Sequence, residues 1–256
     1  MSENRERDLD EVSALSRTDN AGVFYRMGTL LALSGDHRGA ADVYRKALDI
    51  DPHFSDARYA LGLALAYLGN HEGAANNFEK VIRLKSDFSD AWNALGTAYA
   101  HLGHYQDALE KLEQAIRLQP DYSGAWRNLG WVLLNLQRDK LATDKLKTAV
   151  KLNPHDATAW TLLGVGLERL GQYEEASEMF QKAIEHDPES TEAWFSLGVV
   201  LLRTREYDGA VDKFKKMLSI DQEQGCELLL DLTLDLSVNM PDRVRQFIHE
   251  EYDKQF

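Results

Sequence analysis

Residues 89–122 read SDAWNALGTAYAHLGHYQDALEKLEQAIRLQPDY, and most features of that stretch return 34 residues earlier and later. Gly96 has counterparts at Gly28, Gly62, Gly130, Gly164 and Gly198, and Ala108 at Ala40, Ala74, Ala142, Ala176 and Ala210. Leu95 belongs to a third column with Met27, Leu61, Leu129, Leu163 and Leu197. Three columns on one period define six units, 21–54, 55–88, 89–122, 123–156, 157–190 and 191–224.

Within the quoted unit the apolar spacing is helical twice over. Trp92, Leu95, Tyr99 and Leu102 form one face, and Ala108, Leu112, Ala115 and Ile116 form another. Each unit is therefore expected to be a pair of helices. Gly35, Gly69, Gly103 and Gly171 fall between the two, where glycine accepts the backbone angles that end a helix and reverse the chain. Pro52, Pro120, Pro154 and Pro188 mark the end of the second helix, because proline cannot donate to the preceding turn. The Gly and Ala columns let paired helices approach closely against a bulky residue opposite, and a further small column, Ala47, Ala115, Ala149 and Ala183, is expected to meet the next unit. Trp92, Trp126, Trp160 and Trp194, at one position of the first helix, read as core filling between neighbours.

The pattern W-x-x-L-G-x-x-Y from Trp92 to Tyr99, followed by Ala108, Leu112, Ala115 and Pro120, resembles the tetratricopeptide repeat. The resemblance covers about four-fifths of the chain. It implies an all-α fold, a right-handed superhelical solenoid of antiparallel helix pairs with a concave groove that binds peptides or folded partners. Phe24 and Arg58 replace the usual tryptophan, Ser86 and Gln222 the proline, and Gln137 and Arg205 the turn glycine, so the fourth and sixth turns are expected to differ.

The ends complete the expected organisation, a polar N-terminal lead over 1–20, the six units over 21–224, and C-terminal capping helices over 225–256. Leu228, Leu229, Leu232 and Leu236 form a helical stripe suited to covering the sixth unit. A further helix is expected after Pro241, with Val244, Phe247, Ile248 and Tyr252 on one side. The lead is either unstructured or one short helix around Leu9 to Leu15.

Composition narrows the function. With 29 basic against 42 acidic residues the formal charge is −13, so nucleic acid is not the expected partner. The first twenty residues lack the apolar core of a secretory signal, and no apolar run is long enough to span a bilayer. A single cysteine, Cys226, fits a reducing compartment, and the cytoplasm is the expected location. His101 and His104 straddle a helix end with no third ligand nearby in sequence, and Gly164, Gly166 and Gly171 have no strand before them, so neither a metal nor a dinucleotide site is read here. No catalytic constellation and no cofactor are expected.

By resemblance to the family, the groove side of the first helices carries Tyr25, Arg26, Tyr59, Tyr67, Asn93, His101, Arg127, Asn128, Trp131, Asn135, Arg169, Phe195 and Arg203. Rings offer contact area at low entropic cost, asparagines can pair with a bound backbone, and Arg127, Arg169 and Arg203 can grip carboxylates. Asp56, Asp90, Glu168 and Glu192 keep the groove mixed in charge. The residues with which one subfamily holds chaperone tails are lacking, since Trp131 and Leu162 stand at the asparagine positions, and Asn128 is alone in its column where sugar-transferase repeats carry an asparagine ladder. The expected function is a non-enzymatic interaction scaffold or adaptor for a protein or partly acidic peptide, with its convex face or tail open to self-association. The alternative is a regulatory or targeting subunit of a larger complex, including an organelle scaffold of the magnetosome-associated kind or a glycosyl-transfer-associated module.

Overall fold

The alanine- and leucine-rich segments form helices throughout, and the computed structural model describes residues 20–236 and 241–253. The first helices of the pairs are α1 (20–33), α3 (Ser55–Tyr67), α5 (Ser89–His101), α7 (Ser123–Asn135), α9 (Ala157–Arg169) and α11 (Thr191–Arg203). The second helices are α2 (His37–Ile50), α4 (His71–Leu84), α6 (Tyr105–Leu118), α8 (Asp139–Leu152), α10 (Tyr173–His186) and α12 (Tyr207–Ile220), followed by α13 (Gln222–Leu236) and α14 (Asp242–Asp253). Helices and connections repeat on the sequence period. The chain divides into two compact units, Met1–Asn128 and Leu129–Phe256, with the boundary inside α7. The lead expected over 1–20 lies almost wholly outside the described residues, as do the side chains of Leu236 and Tyr252.

Each hairpin closes on the same backbone bond, six residues wide. The N–H of Asp36 donates to the Leu31 carbonyl at 2.9 Å, and Asn70, His104, Arg138, Gln172 and Glu206 repeat it to Leu65, Tyr99, Leu133, Leu167 and Leu201. Such a closure needs a left-handed residue before the donor. Glycine fills that place at Gly35 (φ 86°) and Gly103 (φ 79°), but Gln137 (φ 56°) and Arg205 (φ 67°) take up the same conformation with a side chain attached. The fourth and sixth turns thus keep the geometry of the others, contrary to the expectation from sequence. The closing bond and the packing of both helices enforce it. Gln137→Gly relieves this strain, and we expect a gain of about 0.5–1 kcal/mol in chemical denaturation, after the larger entropy of unfolded glycine is offset.

The Gly column is where paired helices touch. A Cβ built on Gly164 would lie 2.5 Å from the ring of Phe180, and on Gly62 it would lie 2.5 Å from Phe78. Gly96 and Gly130 face Leu112 and Leu146 in the same way. Ala40, Ala74, Ala108, Ala142, Ala176 and Ala210 are fully buried, as are Ala47, Ala115, Ala149 and Ala183. Val81 and Met217 take the place of alanine in that second column and are buried too.

Between pairs the chain turns over four residues, and here the tryptophans depart from their expected role. They are half-buried rather than core. Each indole N–H donates to the carbonyl six residues upstream, Trp92 to Ser86 and Trp126 to Pro120 at 2.9 Å, Trp160 to Pro154 at 2.8 Å, and Trp194 to Pro188 at 2.9 Å. Arg58 makes the same bond with its guanidinium to Pro52 at 2.5 Å. The outer ring faces carry lysines, with Lys182 Nζ 4.7 Å from the Trp160 ring and Lys213 Nζ 5.7 Å from that of Trp194.

After α12 the four-residue turn disappears, and Asp221 alone separates α12 from α13. Gln222 stands where proline would hold an extended turn, and the Asp221 carboxylate accepts the Gln224 N–H at 2.9 Å, starting the helix at once. Leu229 and Leu232 of α13 and Val244, Phe247 and Ile248 of α14 are buried in one cluster with Phe214 and Met217 of α12.

Candidate functional site

In the first unit a groove of about 430 Å³ runs over α3, α4, α5 and the start of α7. It gathers six residues of the sequence-derived set, Tyr59, Tyr67, Asn93, His101, Arg127 and Asn128, and adds Leu63, Ala66, His71, Phe78, Ala94, Thr97 and Ala98. Leu63 and Thr97 share a column with Trp131, so the period pointed to them once Trp131 was chosen.

The polar side of the groove is a connected network. Asn128 Nδ2 donates to Asn93 Oδ1 at 2.9 Å and to Thr97 Oγ1 at 3.1 Å, and Asn93 Nδ2 donates to Tyr122 Oη at 3.3 Å. Arg127 Nε donates to Asn128 Oδ1 at 3.4 Å. The Tyr122 hydroxyl is pushed up in pKa by burial and by its hydrogen bond to Asp90, and Tyr59 is pushed up to about 12 by burial and the Asp90 charge. Both phenols therefore stay protonated donors at any physiological pH. Two asparagines read separately as ligand-binding amides are thus bonded to each other, which holds them in fixed rotamers across two repeats.

One end of the groove is built from stacked rings. The last residue of a first helix lies over the first residue of the preceding second helix, Tyr67 over His37 at 4.4 Å and 3°, and His101 over His71 at 4.5 Å and 8°. Tyr67 is 74% exposed. Nδ1 of His71 is buried with no hydrogen-bond partner. Partial burial lowers the pKa of His101, and the neighbouring His71 lowers it further. As pH falls, the unfolded chain then takes up this proton before the folded one. The contribution is complete above about 6.5 and is lost as pH falls through that value towards the lower folded one. Between about pH 7.5 and pH 5, wild type should lose more melting temperature than His101→Asn, which carries the residue found at Asn135 in the same column.

The remaining candidates are not among the residues that line this groove. Tyr25 packs on Tyr44 and Phe54 at ring distances of 6.0 and 5.1 Å, and Arg26 is exposed on α1. In the second unit Asn135 Nδ2 donates to the Trp131 carbonyl at 2.9 Å, and Phe195 lies 6.0 Å from Phe214. Arg169 donates to the Leu134 carbonyl at 2.7 Å and stands 3.6 Å from Asp139, at the position that His101 and Tyr67 fill in the first unit. Burial raises the pKa of Glu168, against the opposing charges of Arg203 and Arg169. Among the described residues no group of three or more His, Cys, Asp or Glu side chains could hold a metal.

The helix pairs, their columns and their hairpin closures agree with one family profile, the Cilia and flagella-associated protein 70 C-terminal domain, which matches residues 3–228. The chain belongs to this tetratricopeptide-repeat family. Among solved structures the array is similar to MamA from Desulfovibrio magneticus, with 28% identity, 66% of this chain and 96% of that chain covered, and a TM-score of 0.58. It is also similar to YrrB, described as a TPR protein with an unusual peptide-binding site, at 25% identity, with 75% of this chain and 98% of that one covered and a TM-score of 0.56. Its likeness to Pseudomonas aeruginosa pilF, at 19% identity, 81% and 94% coverage and a TM-score of 0.69, is one of fold alone. No curated protein matches the sequence significantly. No described helix of this tetratricopeptide array is long and apolar enough to cross a membrane.

Proposed function

We propose that the chain is an adaptor that binds an extended, partly acidic segment of a partner protein in the first-unit groove, without catalysing a reaction. The observation that carries this reading is the convergence of Leu63, Ala94 and Tyr67, an apolar and aromatic floor, with the Asn93–Asn128 network and the Arg127 guanidinium. Such a surface gives an extended chain area to bury and a cation for a carboxylate. The likeness to YrrB, whose description includes peptide binding, supports it. Self-association through the remaining surface and a cytoplasmic location belong to the same proposal.

A full-length variant carrying Leu63→Glu, Tyr67→Ala and Arg127→Ala changes exposed or half-exposed groove positions. Captured partners from a native lysate, and acidic peptides from a synthetic panel, should bind it at least about tenfold more weakly, with unchanged circular dichroism. Retention of every partner at wild-type strength would remove the groove from the function. The family's description, which associates that protein with cilia and flagella, favours a second reading in which the adaptor is a non-catalytic targeting subunit of a large assembly.

A further inference from the structure

The groove over α3 and α5 has two unlike ends. Its lining residues form one stripe on each helix, Tyr59 to Tyr67 on α3 and Asn93 to His101 on α5, each eight positions long. At about 1.5 Å per residue the stripes run about 12 Å. The two helices point the same way, since Tyr59 packs at 5.0 Å on Phe88, just before α5, and His101 at the far end stacks on His71, which follows α3.

At the near end the polar groups form one directed chain of hydrogen bonds. Arg127 donates to Asn128, Asn128 to Asn93, Asn93 to Tyr122, and Tyr122 to Asp90. Asn128 Nδ2 has a second acceptor in Thr97, so both of its hydrogens are directed inward. Turning either amide towards a ligand would break the chain in its middle. Asn93 and Asn128 are therefore positioning residues that bring the Arg127 guanidinium to the level of Asn93, and the guanidinium is the group that meets a bound segment. The Asp90 carboxylate is taken up by the Tyr122 hydroxyl.

The far end carries rings. Tyr67 is covered on one face by His37 and is still 74% exposed. His101 is exposed beside it, and its lowered pKa keeps the ring uncharged at neutral pH. Leu33, Asn135, Arg169 and Arg203 hold this column in the other repeats, so its rings are confined to this groove. Between the ends lie Leu63, Ala66, Ala94 and Ala98, which offer no polar side chain.

Taking this groove as the adaptor's binding site, we propose that the bound segment lies along α3 and α5 and carries an acidic and an aromatic residue four positions apart. The carboxylate meets Arg127, and the ring packs against Tyr67 and His101. An extended chain advances about 3.3 Å per residue, so four positions cover about 13 Å, the distance between the two ends. Side chains alternate along such a chain, so residues four apart face the same side whereas those three or five apart do not. A helical segment with the same separation reaches only about 6 Å.

The test titrates the full-length protein with ten-residue peptides of serine and glycine that carry one glutamate and one tryptophan, separated by one to six positions, in both orders. A separation of four, in one of the two orders, should bind about tenfold or more tightly than separations of three and five. Arg127→Gln should lose about tenfold against that peptide and nothing against the same peptide with glutamine for glutamate. Tyr67→Ala should likewise lose affinity only where the peptide carries its tryptophan. Equal affinity at all separations, a best separation other than four, or a series that does not bind overturns the inference. In each of those cases the adaptor reading still stands if the Leu63→Glu, Tyr67→Ala, Arg127→Ala variant loses its captured partners, and falls if that variant keeps them.

Discussion

Ala108→Arg should be the most damaging single substitution in the first unit, lowering stability by about 3 kcal/mol or more and the melting temperature by roughly 10 °C. Ala108 is fully buried, and its carbonyl lies 3.2 Å from where a Cβ on Gly96 would stand, so the backbones of α5 and α6 approach closely here. An arginine must either push the helices apart or bury a cation without a partner. Ala108→Leu separates the two effects, since it adds bulk without charge and should lose about 1–3 kcal/mol. Equal melting of wild type and the arginine variant in calorimetry would show that the pairing of α5 with α6 is wrong.

The second large effect is conditional, and its sign depends on the background. Phe180→Ala removes a fully buried ring and should cost about 3–5 kcal/mol. Gly164→Ala in the wild type drives a methyl to 2.5 Å from that ring and should cost about 1–3 kcal/mol. In the Phe180→Ala chain the same methyl enters vacated space. There Gly164→Ala should become stabilising by about 0.5–1 kcal/mol, the ordinary preference of a helix interior for alanine. A double-mutant cycle by urea denaturation measures this, and additive losses would mean that the column is small for a reason other than the facing ring.

The columns account for how much of the fold was legible. Gly28 to Gly198 and Ala40 to Ala210 recur because the same contact is made in each pair, so their spacing carried the helix pairs and the hairpins directly. Local turn chemistry was legible through Gly35, Gly69, Gly103 and Gly171, but not at Gln137 and Arg205, where packing and a closing bond override propensity. The early start of α13 was missed because Gln222 was counted as a missing proline within a repeat. The capping aspartate before it mattered more.

The candidate site was legible as a set of positions and not as a set of interactions. Residue type told which atoms Asn93 and Asn128 could offer, whereas the pairing of the two depends on a register between α5 and α7 that composition does not encode. Likewise Arg169 looked like a carboxylate grip, yet its guanidinium already joins α9 to the Leu134 carbonyl and Asp139. The stacks of Tyr67 on His37 and His101 on His71 follow one rule of position, but the residue types along it vary too much to reveal it.

The corner bond made by Trp92, Trp126, Trp160 and Trp194 has a consequence for how such a sequence can drift. Its acceptor is a main-chain carbonyl, present whatever residue stands there, as Ser86 shows beside Pro120, Pro154 and Pro188. Its donor needs only reach and an N–H, which Arg58 supplies as well as an indole. An arginine can therefore stand at this position with the corner bond kept, which lets the array carry a different surface charge at one repeat while the indole's ring contacts with lysine are given up there.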